Sequence, residues 1–172
     1  MTHKEVRVRN KKEYWLLFLG LIGLLLSSLF ACGPSGYLTY TNDEFGYNIK
    51  YPYTWGIEMS ADKTKCLFIS PSRTASVMID VIEGLTAAQA AQRWLMSIGT
   101  AWGEVAKIED KPMEGAWDWY LSYDYEADYG TFHGEAYFKQ AGAYVYKLDT
   151  AGQKGEYESY PFSTIISSFK LK

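Results

Sequence analysis

Residues 117–126 read Trp117-Asp118-Trp119-Tyr120-Leu121-Ser122-Tyr123-Asp124-Tyr125-Glu126. Every second side chain of this segment is aromatic or aliphatic, and the side chains between them are mostly acidic or polar. Because successive side chains of a β-strand point to opposite faces of the sheet, the alternation predicts a half-buried strand with an aromatic face and an acidic face. Such strands are typical of antiparallel sheets that pack on a core with one face only.

The segments around this strand read as further strands joined by short turns. Asp128-Tyr129-Gly130 and Gln140-Ala141-Gly142 have the composition of turns. In residues 76–83, Val77, Ile79 and Val81 share a face. The predicted strands are residues 37–40, 47–51, 67–70, 76–83, 105–109, 131–139 and 143–149.

Two helices are predicted from capping and from the spacing of apolar residues. Thr86-Ala87-Ala88-Gln89 matches a capping box, and Gly99 is the expected stop of this first helix. Pro161 suits the first turn of a second helix. The apolar stripe of the first helix is Ala87, Ala91, Trp94, Leu95 and Ile98, and that of the second is Phe162, Ile165, Ile166 and Phe169.

The order of these elements, strands, helix, strands and helix, predicts the fold class. Strands joined by short turns form an antiparallel sheet, and amphipathic helices cover its faces. We therefore expect an α+β fold over residues 37–172, an antiparallel β-sheet flanked by helices in an α/β/α sandwich, preceded by an N-terminal signal or hydrophobic helix.

The N-terminal segment has the pattern of a lipoprotein signal peptide. Residues 4–13 carry five basic and two acidic side chains, no charged residue occurs from Trp15 to Ala31, and Cys32 follows. We expect a signal peptide over residues 1–31, a lipidated Cys32 opening a tether over residues 32–36, and a domain held at the extracytoplasmic face of a cell membrane. The alternative is an uncleaved signal anchor, which places the domain on the same side.

Charge and cysteine content limit the function classes. The whole chain has 17 basic and 20 acidic residues, of which residues 1–31 hold 5 and 2, so that the remainder carries a formal charge of about −6. That balance argues against nucleic acid, whose phosphates require a basic face. With Cys32 acylated, Cys66 has no disulfide partner, and its apolar surroundings indicate a buried small side chain rather than a nucleophile.

The acidic face of the strand at residues 117–126 is the sharpest candidate site. Asp118, Asp124, Glu126 and Asp128 fall on one side if the strand runs unbroken, and His133 shares a face of the next strand with Glu135. Carboxylates with one imidazole suit a divalent cation. The alternative is a solvated polar face. The first residues to test as metal ligands are Asp124, Glu126 and His133; we expect no other cofactor.

Two segments resemble the PsbP-like domains, which are related in fold to Mog1. Residues 42–52, with Trp55 after them, match the opening of these domains in an aromatic-Gly-aromatic turn and a strand that ends in Tyr-Pro. Residues 162–169 resemble their C-terminal helix. The resemblance covers about residues 37–172 and implies the PsbP/Mog1-like sandwich. Relatives include extrinsic subunits of photosystem II and bacterial lipoproteins, and the Cys32 leader resembles the latter.

Three hypotheses of function follow. The first is a non-catalytic accessory subunit or binding module of a membrane-associated assembly, with a membrane or surface protein as its partner. The second is a binding protein for a divalent cation or small solute at the acidic strand face. The third is an envelope hydrolase, although no nucleophile elbow, phosphate-binding loop or zinc spacing is present. The absence of these motifs favours a protein that is not an enzyme.

Overall fold

The alternating segment that opens at residue 117 lies in a seven-stranded antiparallel sheet of order β3-β4-β5-β9-β8-β7-β6. The computed structural model describes residues 36–172, so Cys32 and the leader lie outside the described residues. A second, three-stranded sheet has the order β1-β2-β10. The strands are β1 Tyr37–Asn42, β2 Tyr47–Pro52, β3 Gly56–Met59, β4 Lys65–Ile69, β5 Ala75–Glu83, β6 Val105–Pro112, β7 Trp119–Ala127, β8 Gly130–Ala141, β9 Tyr144–Gln153 and β10 Lys170–Leu171.

Helix α1 spans Ala87–Trp102, and its start is the predicted capping box. Thr86 accepts from the Gln89 backbone, and the Gln89 side chain accepts from the Thr86 backbone. The predicted stop at Gly99 is wrong, because the helix continues for another turn. It ends at Gly103, whose φ of 86° favours glycine and whose N–H donates to the Gly99 carbonyl.

Two more helical segments follow β9. A 3₁₀ helix spans Lys154–Ser159, and helix α2 spans Phe162–Ser168 after Pro161, as the sequence predicts. Phe162 and Ile165 are the buried residues of α2. These segments cover the face of the large sheet opposite to α1.

The large sheet therefore separates two cores. On one face α1 packs over Leu121, Tyr123, Phe138 and Val145. On the other face the small sheet, α2 and the 3₁₀ helix bury the residues Tyr47, Ile49, Phe68, Val77, Ile79, Val81, Leu148, Tyr157, Phe162 and Ile165. The α+β class and the antiparallel sheet are confirmed, and one covering layer consists mainly of strands rather than helices.

Strand β7 is more deeply buried than its sequence indicates. Leu121, Ser122 and Tyr123 are all buried, because both faces of the sheet are covered at this point. Trp117 does not continue the aromatic face, since β7 begins at Trp119. Trp117 instead stacks on Phe169 in the other core, with ring centroids 5.2 Å apart.

Other sequence predictions have clear outcomes. Val77, Ile79 and Val81 share a buried face, and Trp55 lies in the core. Cys66 is fully buried, and burial raises the pKa of its thiol to about 11, as expected of a packed and unreactive side chain. Strand β3 was not predicted. Within residues 36–172 no helix is long and apolar enough to cross a membrane.

Candidate functional site

The β7–β8 hairpin brings the predicted acidic face and His133 together. Its register places Asp124 opposite His133 and Ser122 opposite Glu135. Directly opposed side chains of an antiparallel pair lie on the same face and are in contact. The two-residue turn at Asp128 and Tyr129 sets this register, so the proximity follows from local sequence.

His133 lies between two carboxylates. Its Nδ1 is 2.7 Å from Asp124 Oδ1, and its Nε2 is 4.0 Å from Glu135 Oε1. Lys154, from the 3₁₀ helix, donates to Asp124 Oδ2 at 2.7 Å. The result is a cluster of alternating charge in which both oxygens of Asp124 have partners.

The neighbours shift the pKa values of this cluster in a consistent direction. The Glu135 and Asp124 carboxylates raise the pKa of His133 against the effect of its burial. Burial opposes ionisation of Asp124, but the hydrogen bonds from Lys154 and His133 outweigh it and lower the pKa of Asp124. The imidazolium and the carboxylate therefore stabilise each other in their charged forms.

Glu135 is held ionised by three neighbours. Tyr120 donates to its Oε1 at 2.9 Å and Tyr137 to its Oε2 at 2.8 Å. Burial acts to raise the pKa of Glu135, but His133 and the two tyrosine hydroxyls outweigh it and lower that pKa. The side chain is 23% exposed, so a ligand can reach the charge.

Tyr157 covers one side of the cluster. Its ring stands edge-on to the His133 ring with centroids 4.5 Å apart, and its hydroxyl is 2.6 Å from the Thr150 hydroxyl. The 3₁₀ helix carries both Tyr157 and Lys154. One short segment therefore covers the cluster with a ring and pairs its Asp124 carboxylate with an ammonium.

A cleft of about 430 Å³ opens beside Glu135. A volume of this size suits a small molecule or an inserted side chain. Two acidic residues, Glu135 and Glu158, line the cleft. Its aromatic walls are formed by Trp117, Tyr137, Tyr157, Tyr160 and Phe162.

The structure brings together only part of the predicted cation site. Glu126 accepts a hydrogen bond from Thr131 at 2.8 Å, whereas the carboxylates paired with His133 among the described residues are those of Asp124 and Glu135. Asp128 lies in the turn after β7. In the part of the chain that the structure describes, no group of three or more His, Cys, Asp or Glu residues is placed to hold a metal. The divalent-cation site at Asp124, Glu126 and His133 stays a prediction.

Asp118 is separate from this cluster. It accepts hydrogen bonds from Lys139 Nζ at 3.0 Å and from the Gln140 backbone at 2.7 Å. It precedes β7 and so is not part of the acidic row, which assumed an unbroken strand.

Sequence reasoning missed the groups that complete the site. Lys154, Tyr157 and the cleft wall at Trp117 come from segments outside the β7–β8 hairpin. Two tyrosines, Tyr157 and Tyr160, are the only local signal in this segment, and tyrosines more often serve packing than binding. Pairing across 30 residues has no local pattern in the sequence.

Comparison with known proteins supports the fold. No protein-family model and no curated protein matches the sequence. The solution structure of cyanobacterial PsbP (CyanoP) from Synechocystis sp. PCC 6803 is similar, with a TM-score of 0.64, 17% sequence identity, and coverage of 84% of this chain and 99% of that chain.

Two further solved structures are more distant. A crystal structure from Bacteroides thetaiotaomicron has a TM-score of 0.51 at 14% identity and matches 78% of this chain, which spans about half of that protein (48%). The crystal structure of LpqN, involved in cell envelope biogenesis of Mycobacterium tuberculosis, has a TM-score of 0.49 at 9% identity, with coverage of 86% and 96%. The domain has the PsbP-like fold that its sequence resembles.

Proposed function

We propose that this protein is an extracytoplasmic lipoprotein, anchored through Cys32, whose PsbP-like domain is a non-catalytic binding module of a membrane-associated assembly. The leader pattern supports the anchor: a basic segment, an uncharged run of 17 residues from Trp15 to Ala31, and a cysteine. The observation that carries the binding role is the aromatic cleft with ionised Glu135 at its edge.

The chemistry of the cleft favours a cationic group of a protein partner. Aromatic faces attract ammonium and guanidinium groups, and a carboxylate at the same site adds charge pairing. Glu135 and Glu158 supply the negative charge, and Trp117 and Tyr137 supply ring surface. A lysine or arginine side chain from the partner satisfies both features.

The protonation states support recognition rather than turnover. A general acid must carry a proton near the working pH, whereas the pKa of Glu135 and that of Asp124 are both lowered. A general base must be unprotonated, whereas the carboxylates of Glu135 and Asp124 raise the pKa of His133 and favour its protonated form. Fixed charges of this kind suit a docking site.

Site-directed photo-crosslinking of the full-length protein in its native membrane tests the binding role. A photo-reactive residue at Ser163, which lines the cleft, is compared with one at Thr100, which lies on α1. We expect position 163 to label one abundant membrane protein and position 100 not to label it. Equal labelling of unrelated neighbours from both positions would overturn the proposal.

A pair of isosteric variants then tests whether the negative charge of Glu135 contributes to binding of the partner. We expect Glu135→Gln to reduce the crosslink from position 163 by about tenfold, the effect of one lost charge pair worth about 1.4 kcal/mol. Glu126→Gln is the matched control, because Glu126 is an exposed carboxylate on the same hairpin that does not line the cleft. Equal loss in the two variants would contradict recognition at Glu135.

The anchor has a separate test. We expect Cys32→Ala to abolish incorporation of labelled palmitate and to leave the unprocessed precursor in the membrane. If the wild-type protein instead keeps the length of the precursor and takes up no label, the leader is an uncleaved signal anchor.

A further inference from the structure

A second cavity lies on the α1 face of the large sheet, opposite to the Glu135 cleft. Its volume is about 370 Å³. Strands β4, β5 and β9 form its floor, and α1 forms one wall. The charged residues that line it are Lys65, Asp80, Arg93 and Lys147, and its apolar lining includes Ile82, Ala90 and Trp94.

Lys147 is the unusual residue of this cavity. Its side chain is 0% exposed, and its ammonium has no hydrogen-bond partner among residues 36–172. Nζ lies 3.0 Å from the centroid of the Trp94 ring and 3.6 Å from Asp80 Oδ2, which is an ion-pair distance but too long for a hydrogen bond. Burial lowers the pKa of Lys147 to about 8.

The neighbouring carboxylates give Lys147 an ion pair, with Asp80, but no hydrogen bond. Asp149 Oδ1 accepts from the Tyr123 hydroxyl at 2.6 Å and from Trp94 Nε1 at 3.2 Å. Burial raises the pKa of Asp149 to about 6, so its charge is itself unfavourable in this position. A buried ammonium without a hydrogen-bond acceptor is costly, the Trp94 ring and the Asp80 carboxylate offset part of that cost, and a further anion in the cavity would offset more of it.

The charge of the cavity differs from that of the domain. The cavity is lined by three basic residues and one acidic residue. The basic residues are Lys65, Arg93 and Lys147, and the acidic residue is Asp80. The domain as a whole carries about −6 after residue 31. A local excess of positive charge in an acidic protein attracts anions.

We infer that this cavity binds a small organic carboxylate. The carboxylate is held by the exposed Lys65 and Arg93, and the buried ammonium of Lys147 adds positive charge beneath it. The apolar part of the ligand packs on Ile82, Ala90 and the half-buried Trp94, which line the cavity. Because this cavity and the Glu135 cleft lie on opposite faces of the sheet, the inference is independent of the proposed function.

Titration calorimetry of the full-length protein in detergent micelles tests the inference, with sodium hexanoate as the probe and sodium chloride as the reference at equal ionic strength. Inorganic phosphate is a second probe that carries the charge without the apolar chain. We expect saturable hexanoate binding at a stoichiometry near one, and weaker binding of phosphate. Heats for hexanoate that equal those for chloride would overturn the inference, and phosphate binding as tight as hexanoate would overturn the role of the apolar wall.

Variants at the exposed rim keep the test independent of folding. We expect Arg93→Gln and Lys65→Gln each to weaken hexanoate binding by about tenfold, the factor for one lost charged contact worth about 1.4 kcal/mol. Lys50→Gln is the matched control, because Lys50 is likewise an exposed lysine on a strand. Unchanged affinity in both rim variants would contradict the assignment.

Asp80→Asn gives a result that a purely structural role of the cluster would not produce. This variant removes the carboxylate that competes for Lys147, and we expect it to tighten hexanoate binding severalfold. Weaker binding would show that Asp80 does not compete with the ligand, and would contradict the proposed position of the carboxylate.

Discussion

At the scale of single residues, His133 joins two carboxylates that would otherwise repel each other. Asp124 and Glu135 lie on adjacent strands of one face, and the imidazole stands between their oxygens at 2.7 and 4.0 Å. Lys154 compensates the remaining charge of Asp124. The cluster is therefore held by alternating charge, and its stability depends on pH.

The direction of that dependence follows from the pKa shifts. The pKa of His133 is raised above its ordinary 6.5 by folding, so its contribution is complete below that value and is lost as the pH rises through the folded value. The pKa values of Asp124 and Glu135 are lowered from 3.8 and 4.5, so their contributions are lost as the pH falls through the folded values. The cluster contributes most between these limits.

We expect His133→Gln to reduce the free energy of unfolding by about 1.5–3 kcal/mol near pH 5.5, the range for a hydrogen bond to a charged group, and by less near pH 9. Denaturant titrations at the two pH values measure the difference. Glu126→Gln serves as the control, because Glu126 is exposed and lies outside the cluster. An equal loss at both pH values would show that the charge of His133 does not contribute.

At the scale of elements, the β7–β8 hairpin depends on a glycine in the middle of a strand. Gly134 lies directly opposite Tyr123, whose buried ring covers it and whose hydroxyl donates to Asp149. A Cβ at position 134 would overlap the Tyr123 ring. The absent side chain is therefore what lets Tyr123 reach across the sheet.

We expect Gly134→Ala to lower the free energy of unfolding by about 1–3 kcal/mol, because the overpacked ring must shift within a buried contact. Gly99→Ala is the matched control. Gly99 lies within α1 with no atom near its added Cβ, and alanine there is expected to stabilise by about 0.5–1 kcal/mol. Thermal denaturation measures both, and a neutral effect at position 134 would contradict the close contact.

At the scale of the whole molecule, the C-terminus joins the two sheets. Strand β10 pairs with β2, so that Leu171 lies opposite Tyr47. Phe169, just before it, packs against Tyr47 with ring centroids 5.7 Å apart and stacks on Trp117 at 5.2 Å. One aromatic residue thus contacts the small sheet and the loop that leads into β7.

We expect Phe169→Ala to cost about 2 kcal/mol, because it removes a half-buried aromatic side chain that holds two layers together. Tyr129→Ala is the control, since Tyr129 is 66% exposed, and its effect is expected to stay below about 1 kcal/mol. Chemical denaturation of both variants measures the difference, and equal effects would contradict a structural role for the C-terminus.

The sequence alone determined most of the elements and the pairing of Asp124 with His133. Period-two alternation, turn residues and the Thr86 capping box act over a few residues, so each is legible without the fold. The Asp124–His133 contact can also be predicted from local sequence, because one short turn sets the register of the hairpin. The end of α1 was misplaced because two glycines lie near it, and Gly103 rather than Gly99 is the one that caps the helix.

Only the tertiary structure decided which faces are covered and which charges are buried. Strand β10 is too short to be recognised from a pattern, and it pairs with β2 from the far end of the chain. Lys147 lies in an alternating strand whose sequence does not distinguish a solvated lysine from a buried one. Its burial depends on α1 packing over β9, and contacts between distant segments have no local sequence signal.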